Sequence, residues 1–545
     1  MDIWIKAAQL FLSLAILVTL HEFGHFLPAR LFKTRIEKFY LFFNPWFSLF
    51  RYKKVNGVKK TAWFKKDSPK EWKEDENTTE WGLGWLPLGG YVKIAGMMDE
   101  SMDKEQLKQP VQDWEFRSKS PWKRLIIMVG GVTVNLILGF LIYICVVFVW
   151  GQTQAKPTDL KYGLSVHPYL QKYNIVSGDK VIECEGSPVE SIEDLNKEIL
   201  LRDARKLKIL HADGKVSNVT LPENIDMELF ENGAFPAFGL RSKITKVVEV
   251  VAKSPAEKAG LKKNDVIHAI NGKEIEFFDD LQSALFAAKG KSAGLIVLRG
   301  PLKVDEIIPL SNAAKAGLQK NDVILAIKGK EIEFFEDLQG AFSALKDTSA
   351  GLTVLRGKSP SDTVRLTIKV DSVGKVDFKA SNDTVRLTTQ VNSDGTIGFQ
   401  PSAISAENDT VFRTIKHGFL ESVSVGFQLG KNTLGDYVSQ FKFLFTKKGA
   451  SSIGGFASIG NMFPPVWDWQ LFWLNTALLS IILAFMNILP IPALDGGHVV
   501  FLIYEIITGK EAPTKVLEVA QYIGIILLLG LMVYANGNDL IRWLF

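Results

Sequence analysis

The sequence predicts a polytopic α-helical membrane protein with about four transmembrane helices and soluble α+β domains inserted on the outer side. Four stretches, near residues 4–27, 124–150, 469–495 and 516–543, have the length and apolarity that a bilayer core of roughly 30 Å, or about twenty helical residues, requires. Charged residues make up 23% of the 545, too many for a chain lying wholly in lipid, so apolar and charged residues must be segregated along it. Between about 151 and 465, short alternating apolar runs separated by Gly, Asn and Asp read as strands with occasional helices.

Bulk properties exclude several classes. A net charge of +5 without a dense Lys/Arg run interleaved with aromatics leaves no nucleic-acid footprint. Cys145 lies in an apolar segment and Cys184 in a polar one, which implies neither a disulfide framework nor a cysteine metal site. Any metal must therefore be held by His and carboxylates.

Residues 1–27 read as the first transmembrane helix. The apolar run lacks a small-residue cleavage site and continues through His21, unlike a signal peptide. His21, Glu22 and His25 spell H-E-x-x-H, and on a helix the two histidines, at i and i+4, project from one face and can reach one zinc ion. Glu22, about 100° round the helix, stands beside the metal as the candidate general base for a water that the metal acidifies. The plain alternative is a pair of interior histidines bonded to other helices, but ionisable groups at membrane depth are costly and are retained mainly for function.

Residues 28–122 read as a cytoplasmic, membrane-associated loop. Arg30–Lys66 carries eleven Lys/Arg against one acid, Glu37, and the positive-inside rule puts it in the cytoplasm. The amino terminus and the region after the second helix, residues 123–150, are then outside. Three units follow, 151–235, 236–310 and 311–405. The stretch from Ala256 to Gly300 recurs from Ala313 to Gly357 with about three positions in four identical, and "DTVRLT" occurs at Asp362 and again at Asp383. Each long copy reads as a helix ending in "AGL", a turn, a strand, a "GKEI" hairpin and a second helix. That order resembles a PDZ domain, and Ser177–Leu195 looks like a more diverged copy. The triplets Tyr162-Gly163-Leu164 and Phe238-Gly239-Leu240 stand where a PDZ carboxylate-binding loop precedes its strand. Whether such units bind peptide or only shape access stays open.

Residues 406–468 have helical apolar periodicity and are expected along the outer membrane surface. Residues 469–497 form the third transmembrane helix, broken by Pro490 and Pro492 before Asp495. A catalytic zinc takes three protein ligands and keeps one open position. Asp495 is the leading third ligand and His498 the runner-up, a choice that spacing alone does not make. Residues 498–515 read as a cytoplasmic loop, and 516–545 as the fourth helix.

Taken together, "HEFGHF", "PLGGYVKIAGM", "GGVTVNLILGF", the PDZ-like insertion and "NILPIPALDGG" resemble the site-2 protease family of intramembrane zinc metalloproteases, closest to its bacterial RseP-like branch, over nearly the whole chain in the family's order. The resemblance implies cleavage of single-pass membrane proteins in or near their transmembrane segments, with anti-sigma factors or leftover signal peptides as substrates, in a bacterial inner membrane. It implies zinc bound by His21, His25 and Asp495, Glu22 as catalytic acid/base, and Asn487 holding the substrate backbone. Gly89, Gly90, Tyr91 and Val92 resemble part of a membrane-reentrant β-hairpin whose edge strand pairs with substrate. That pairing answers a physical need, because a helical peptide bond is internally hydrogen-bonded and must be held extended before attack. Asn135 matches the second-helix motif, where packing or helix contact is the expected role. The near-duplicate from Ala313 departs from the family's tandem pair, as a third PDZ-like unit or an extended second one. A membrane-anchored PDZ scaffold without catalysis and a zinc transporter are the competing classes. The intact HExxH-plus-Asp set argues against the first. The second has no use for a base beside water.

Overall fold

The computed structural model describes residues 2–75, 77–86, 89–97, 110–241, 246–332, 335–357, 363–370, 372, 378–393, 395–401 and 411–544. Pro87 and Leu88 of the PLGGYVK run, Asp362 of the first DTVRLT and the opening residues 406–410 of the surface segment lie outside these. Two units form, Met1–Thr153 with Thr414–Phe545, and Gln154–Arg413.

Among the described residues of the first unit, four helices are long and apolar enough to cross a membrane: α1 (Asp2–Leu31), α2 (Pro121–Trp150), α4 (Trp469–Ile488) and α6 (Thr514–Leu544). With α3 (Phe419–Leu444) and α5 (Asp495–Thr508) they make a polytopic membrane protein into which a sheet-rich unit is inserted. α2 is the hub. Where α1 crosses it, a Cβ on Gly24 would lie 2.5 Å from the Gly130 carbonyl oxygen and one on Gly130 2.1 Å from that of Gly24. Only glycines allow this approach, the usual device of packing between membrane helices. α4 lies against the same helix at Gly139, beside Ile481, and Ser480 Oγ donates to the Asn135 carbonyl at 2.7 Å.

Three expectations need correction here. The segment expected along the surface does not stand apart from the bundle: α3 packs lengthwise on α2, because Gly426 and Gly430, about one turn apart, admit Ile144 and Phe140. Residues 498–508 are not loop: the third transmembrane helix stops at Ile488, and Asp495 opens α5. Pro490 and Pro492 end the first helix. Gly496 and Gly497 let the next begin directly against it, since Cβ atoms there would fall 2.2 Å from the Leu489 and 2.7 Å from the Ile491 carbonyl oxygens. Third, the glycine-containing run is not one arm of a hairpin. Residues 36–94 build a five-stranded sheet from β1 (Ile36–Leu41), β2 (Ser48–Val55), β3 (Val58–Lys65), β4 (Glu80–Leu83) and β5 (Tyr91–Ile94), in the order β3-β2-β4-β1-β5. β4 pairs with β1 in parallel and β5 pairs with it antiparallel from the other side. β4 and β5 therefore lie on opposite sides of β1 and do not pair with each other. β5 is thereby left at the sheet's edge.

The second unit opens with an α+β module. Strands Val216–Thr220, Lys206–Leu210, Lys180–Cys184 and Ser187–Pro188 form one sheet, packed with helix Ile192–Leu201. The Phe238-Gly239-Leu240 triplet, expected to open the next unit, closes this one. It pairs antiparallel with Leu164–Val166, and Asn196 Oδ1 accepts from the backbone N–H groups of Ala237 and Phe238.

The two near-identical copies are nested, not consecutive as the boundaries 236–310 and 311–405 supposed. The long strand Ser292–Ile307 belongs to both. Its first part, Ser292–Arg299, pairs with Gln390–Asp383; its last, Lys303–Ile307, with Ser381–Phe378. The outer copy runs from about 247 to 299 and is completed by 383–401, whose end pairs with Val247–Val250. The inner copy occupies about 303–381 and closes its own sheet through Ser349–Leu355 and Thr363–Lys369. Each has its own core, one holding Val247, Leu281, Val297 and Ile397, the other Val304, Leu338, Val354 and Phe378. A buried ion pair repeats with them: Arg299 grips Asp265 and the Gly260 carbonyl, and Arg356 grips Asp322 and that of Gly317.

Candidate metal site and substrate cavity

α1 delivers His21, Glu22 and His25 to a cavity of about 600 Å³ that is also lined by β5, α2, α4, α5 and α6. The close α1–α2 crossing brings His25 Nδ1 within 2.8 Å of the Ile127 carbonyl oxygen. The carbonyl can only accept, so Nδ1 carries the proton and Nε2 presents a lone pair. His21 Nε2 stands 3.2 Å from His25 Nε2, and Asp495 Oδ2 stands 3.2 Å from the first and 3.4 Å from the second. Gly131 makes room for both rings: a Cβ there would fall 2.4 Å from His25 Nε2 and 2.6 Å from His21 Cε1.

These three edges fit a metal. Ligands about 2.0–2.1 Å from a tetrahedral zinc stand about 3.3–3.4 Å apart, which is the separation seen. Asp495 Oδ2 is buried without a hydrogen-bond donor, so acceptors converge on acceptors, an arrangement that needs a cation between them. Among the described residues this is the one such group of His, Cys, Asp or Glu. His498 lines the same cavity but is not part of the convergent set.

Glu22 lies within electrostatic reach of both histidines and Asp495, and the Val92 backbone N–H donates to its carboxylate. The outer edge of β5 therefore faces the base. Gly90 permits the approach, since a Cβ would meet the Tyr40 carbonyl at 2.7 Å and Val18 Cγ1 at 2.9 Å. Gly89, Gly90, Tyr91 and Val92 all line the cavity, as does Asn487 from the last turn of α4. Outside the spanning helices, burial lowers the pKa of Lys38, which lines the cavity from β1.

Asn135 makes its helix contact at the site itself: it is wholly buried, and its side-chain Nδ2 lies 3.3 Å from His21 Nδ1. A flip of the carboxamide would bring Oδ1 to the ring to accept the Nδ1 proton, which would leave Nε2 for metal. The signal in the sequence was a lone carboxamide in an otherwise apolar helix. Farther along, α5 is tied to α2 by Arg124, which pairs with Glu505 and reaches Glu511 at 3.4 Å. That tie steadies the helix that presents Asp495.

A carboxylate beside a trio of residues that can hold a metal, with the edge strand of a sheet alongside, suits hydrolysis of a peptide held extended inside a helical bundle; the class so defined is that of membrane-embedded metallopeptidases. The chain belongs to peptidase family M50, whose sequence profile matches residues 9–59 and 56–531. It is thus a zinc-dependent peptidase of the site-2 protease type. It is 24% identical over 552 residues to the regulator of sigma E protease of Haemophilus influenzae, covering 97% of each chain. Proteins named as zinc metalloproteases in Neisseria meningitidis serogroup A and Vibrio cholerae are each 26% identical over 546 residues, covering 98% and 97% of both chains respectively.

Proposed function

We propose that this protein hydrolyses peptide bonds in or near the transmembrane segment of single-pass membrane proteins, with anti-sigma factor-like proteins or signal-peptide remnants as its substrates. The observation that carries the reading is the meeting, in one cavity, of the His21–His25–Asp495 trio, Glu22 and the edge of β5. His21, His25 and Asp495 hold zinc, which when bound lowers the pKa of a water to about 7 and polarises a carbonyl. Glu22 takes the proton of the attacking water and returns it to the leaving amine. β5 adds the substrate as a further strand, which unwinds it from its helix and exposes the scissile carbonyl. Asn487 donates to the substrate backbone.

Topology supports the same reading. The basic segment from Arg30 to Lys66 sets the metal end of the bundle toward the cytoplasm, so water has only a short way to travel. Exposed Trp46, Trp63 and Phe64 suit a sheet seated at the lipid headgroups. The nested PDZ-like copies then lie on the periplasmic side of an inner membrane, where they bind or screen the substrate's outer portion.

The deciding experiment compares wild type with Glu22→Gln on a model single-pass substrate in detergent. The variant is expected to retain zinc and lose cleavage by at least about a hundredfold; undiminished cleavage would remove Glu22 from its role.

A further inference from the structure

α6 carries a group for which hydrolysis as described has no use. Of its 31 residues only Gln521, Gly524 and Ala535 are buried. Gly524 is pressed against the loop that leads to Asp495: a Cβ there would fall 1.7 Å from the Pro492 carbonyl oxygen. Gln521, three residues earlier and hence on the same face, lines the metal cavity and is 5% exposed. No hydrogen bond satisfies its side chain among the described residues.

The other carboxamides of the cavity divide cleanly. Asn44 is engaged by Ser48 and Tyr91, and Asn135 by His21. Asn487 and Gln521 are free. A carboxamide that no protein group engages and that opens to a cavity among spanning helices is retained mainly for what enters that cavity.

We propose that Gln521 is a substrate-binding residue: its side-chain amide hydrogen-bonds the backbone of the extended peptide along the edge that β5 leaves unpaired. A strand paired on one side presents alternate N–H and C=O groups on the other, and in a cavity of a membrane bundle water does not freely satisfy them. A glutamine supplies both a donor and an acceptor, which match the C=O and N–H that one residue of an extended strand turns to the same side. Because it reads backbone rather than side chains, it serves substrates of varied sequence. The assignment rests on the peptidase reading above.

The test uses the full-length zinc-loaded enzyme in detergent micelles and a synthetic Leu/Ala/Gly transmembrane peptide, with analogues N-methylated at one backbone nitrogen at a time. Gln521→Ala is expected to raise KM up to about tenfold, one hydrogen bond's worth, with kcat within about twofold and zinc content unchanged. At one position the N-methyl penalty seen with wild type disappears in the variant. Gln521→Leu keeps the bulk without the amide and is expected to match wild type in Tm while sharing the raised KM. A purely structural glutamine predicts the opposite, a lowered Tm with KM unmoved, and that result overturns the assignment, as do N-methyl penalties that remain additive at every position. Glu22→Gln runs in parallel: absence of cleavage by the zinc-loaded wild type brings down the peptidase reading itself, retained cleavage in Glu22→Gln removes only Glu22 from its role, and cleavage by wild type with additive penalties removes only Gln521.

Discussion

Replacing Gly131 by alanine separates helix stability from metal binding. In a helix interior, alanine is ordinarily better than glycine by about 0.5–1 kcal/mol, so α2 itself gains. The added Cβ, however, falls 2.4 Å from His25 Nε2 and 2.6 Å from His21 Cε1, about 1 Å inside ordinary contact. Neither ring can yield cheaply. His25 is held to Ile127 and His21 to Asn135, both on the helix that bears the new methyl. Zinc ligands tolerate about 0.2 Å of displacement, and a misplacement of 1 Å costs about a hundredfold in rate. Purified Gly131→Ala should therefore carry well under one zinc per chain by elemental analysis and cleave a model transmembrane substrate at least about a hundredfold more slowly. Gly530→Ala, in α6 with nothing within 4 Å of its would-be Cβ, is the matched control and should behave as wild type. Full zinc occupancy with cleavage within about twofold of wild type in Gly131→Ala would refute the geometry.

Asp495→Asn should lose zinc while His498→Ala retains it, measured on the same preparations; the reverse pattern moves the third ligand to His498. Asn135→Leu is expected to weaken zinc about ten- to a hundredfold, as loss of a group that orients a ligand does, read by chelator competition. Excising residues 301–381 and joining Gly300 to Asn382 through a short turn should leave the outer copy folded, since Arg299 already pairs with Asp383 and Asn382 Nδ2 donates to the Gly300 carbonyl. Excising 311–405 instead removes the closing strand and should unfold the outer copy, visible as rapid limited proteolysis.

The convergence of His21, His25 and Asp495 was legible because it is written in types and spacings. H-E-x-x-H fixes two ligands on one helical face, and an aspartate after two prolines at membrane depth has little purpose without a cation. Helix breakage at Pro490 and Pro492 was legible too, but not that Gly496 and Gly497 would let a new helix start at once, because the close carbonyls are tertiary. β1–β5 hid within a stretch read for its charge. The run Ser48–Val55 is a strand, but three of its eight side chains are basic and it carries no marked apolar face. Asn135 announces itself only as a lone carboxamide in an apolar helix and Gln521 only as one of three in its own, and what each meets depends on which helix lies opposite. Nesting was beyond reach for another reason: two copies in tandem and two copies one inside the other have the same order of motifs.

That nesting sets an order of assembly. Strands Thr363–Lys369 and Thr384–Gln390 are nearly the same sequence, so either can pair with Leu295–Leu298 or with Leu352–Leu355, and contact energies barely distinguish the alternatives. Chain length does. Seven residues separate Leu355 from Thr363, while more than eighty separate Arg299 from its partner Asp383, a difference of about 2 kcal/mol in closure entropy that favours the inner hairpin. Once the inner copy is formed its ends lie side by side, and the long excursion shrinks to a short tether for the outer one. The order in which the strands meet keeps two interchangeable sequences from changing places.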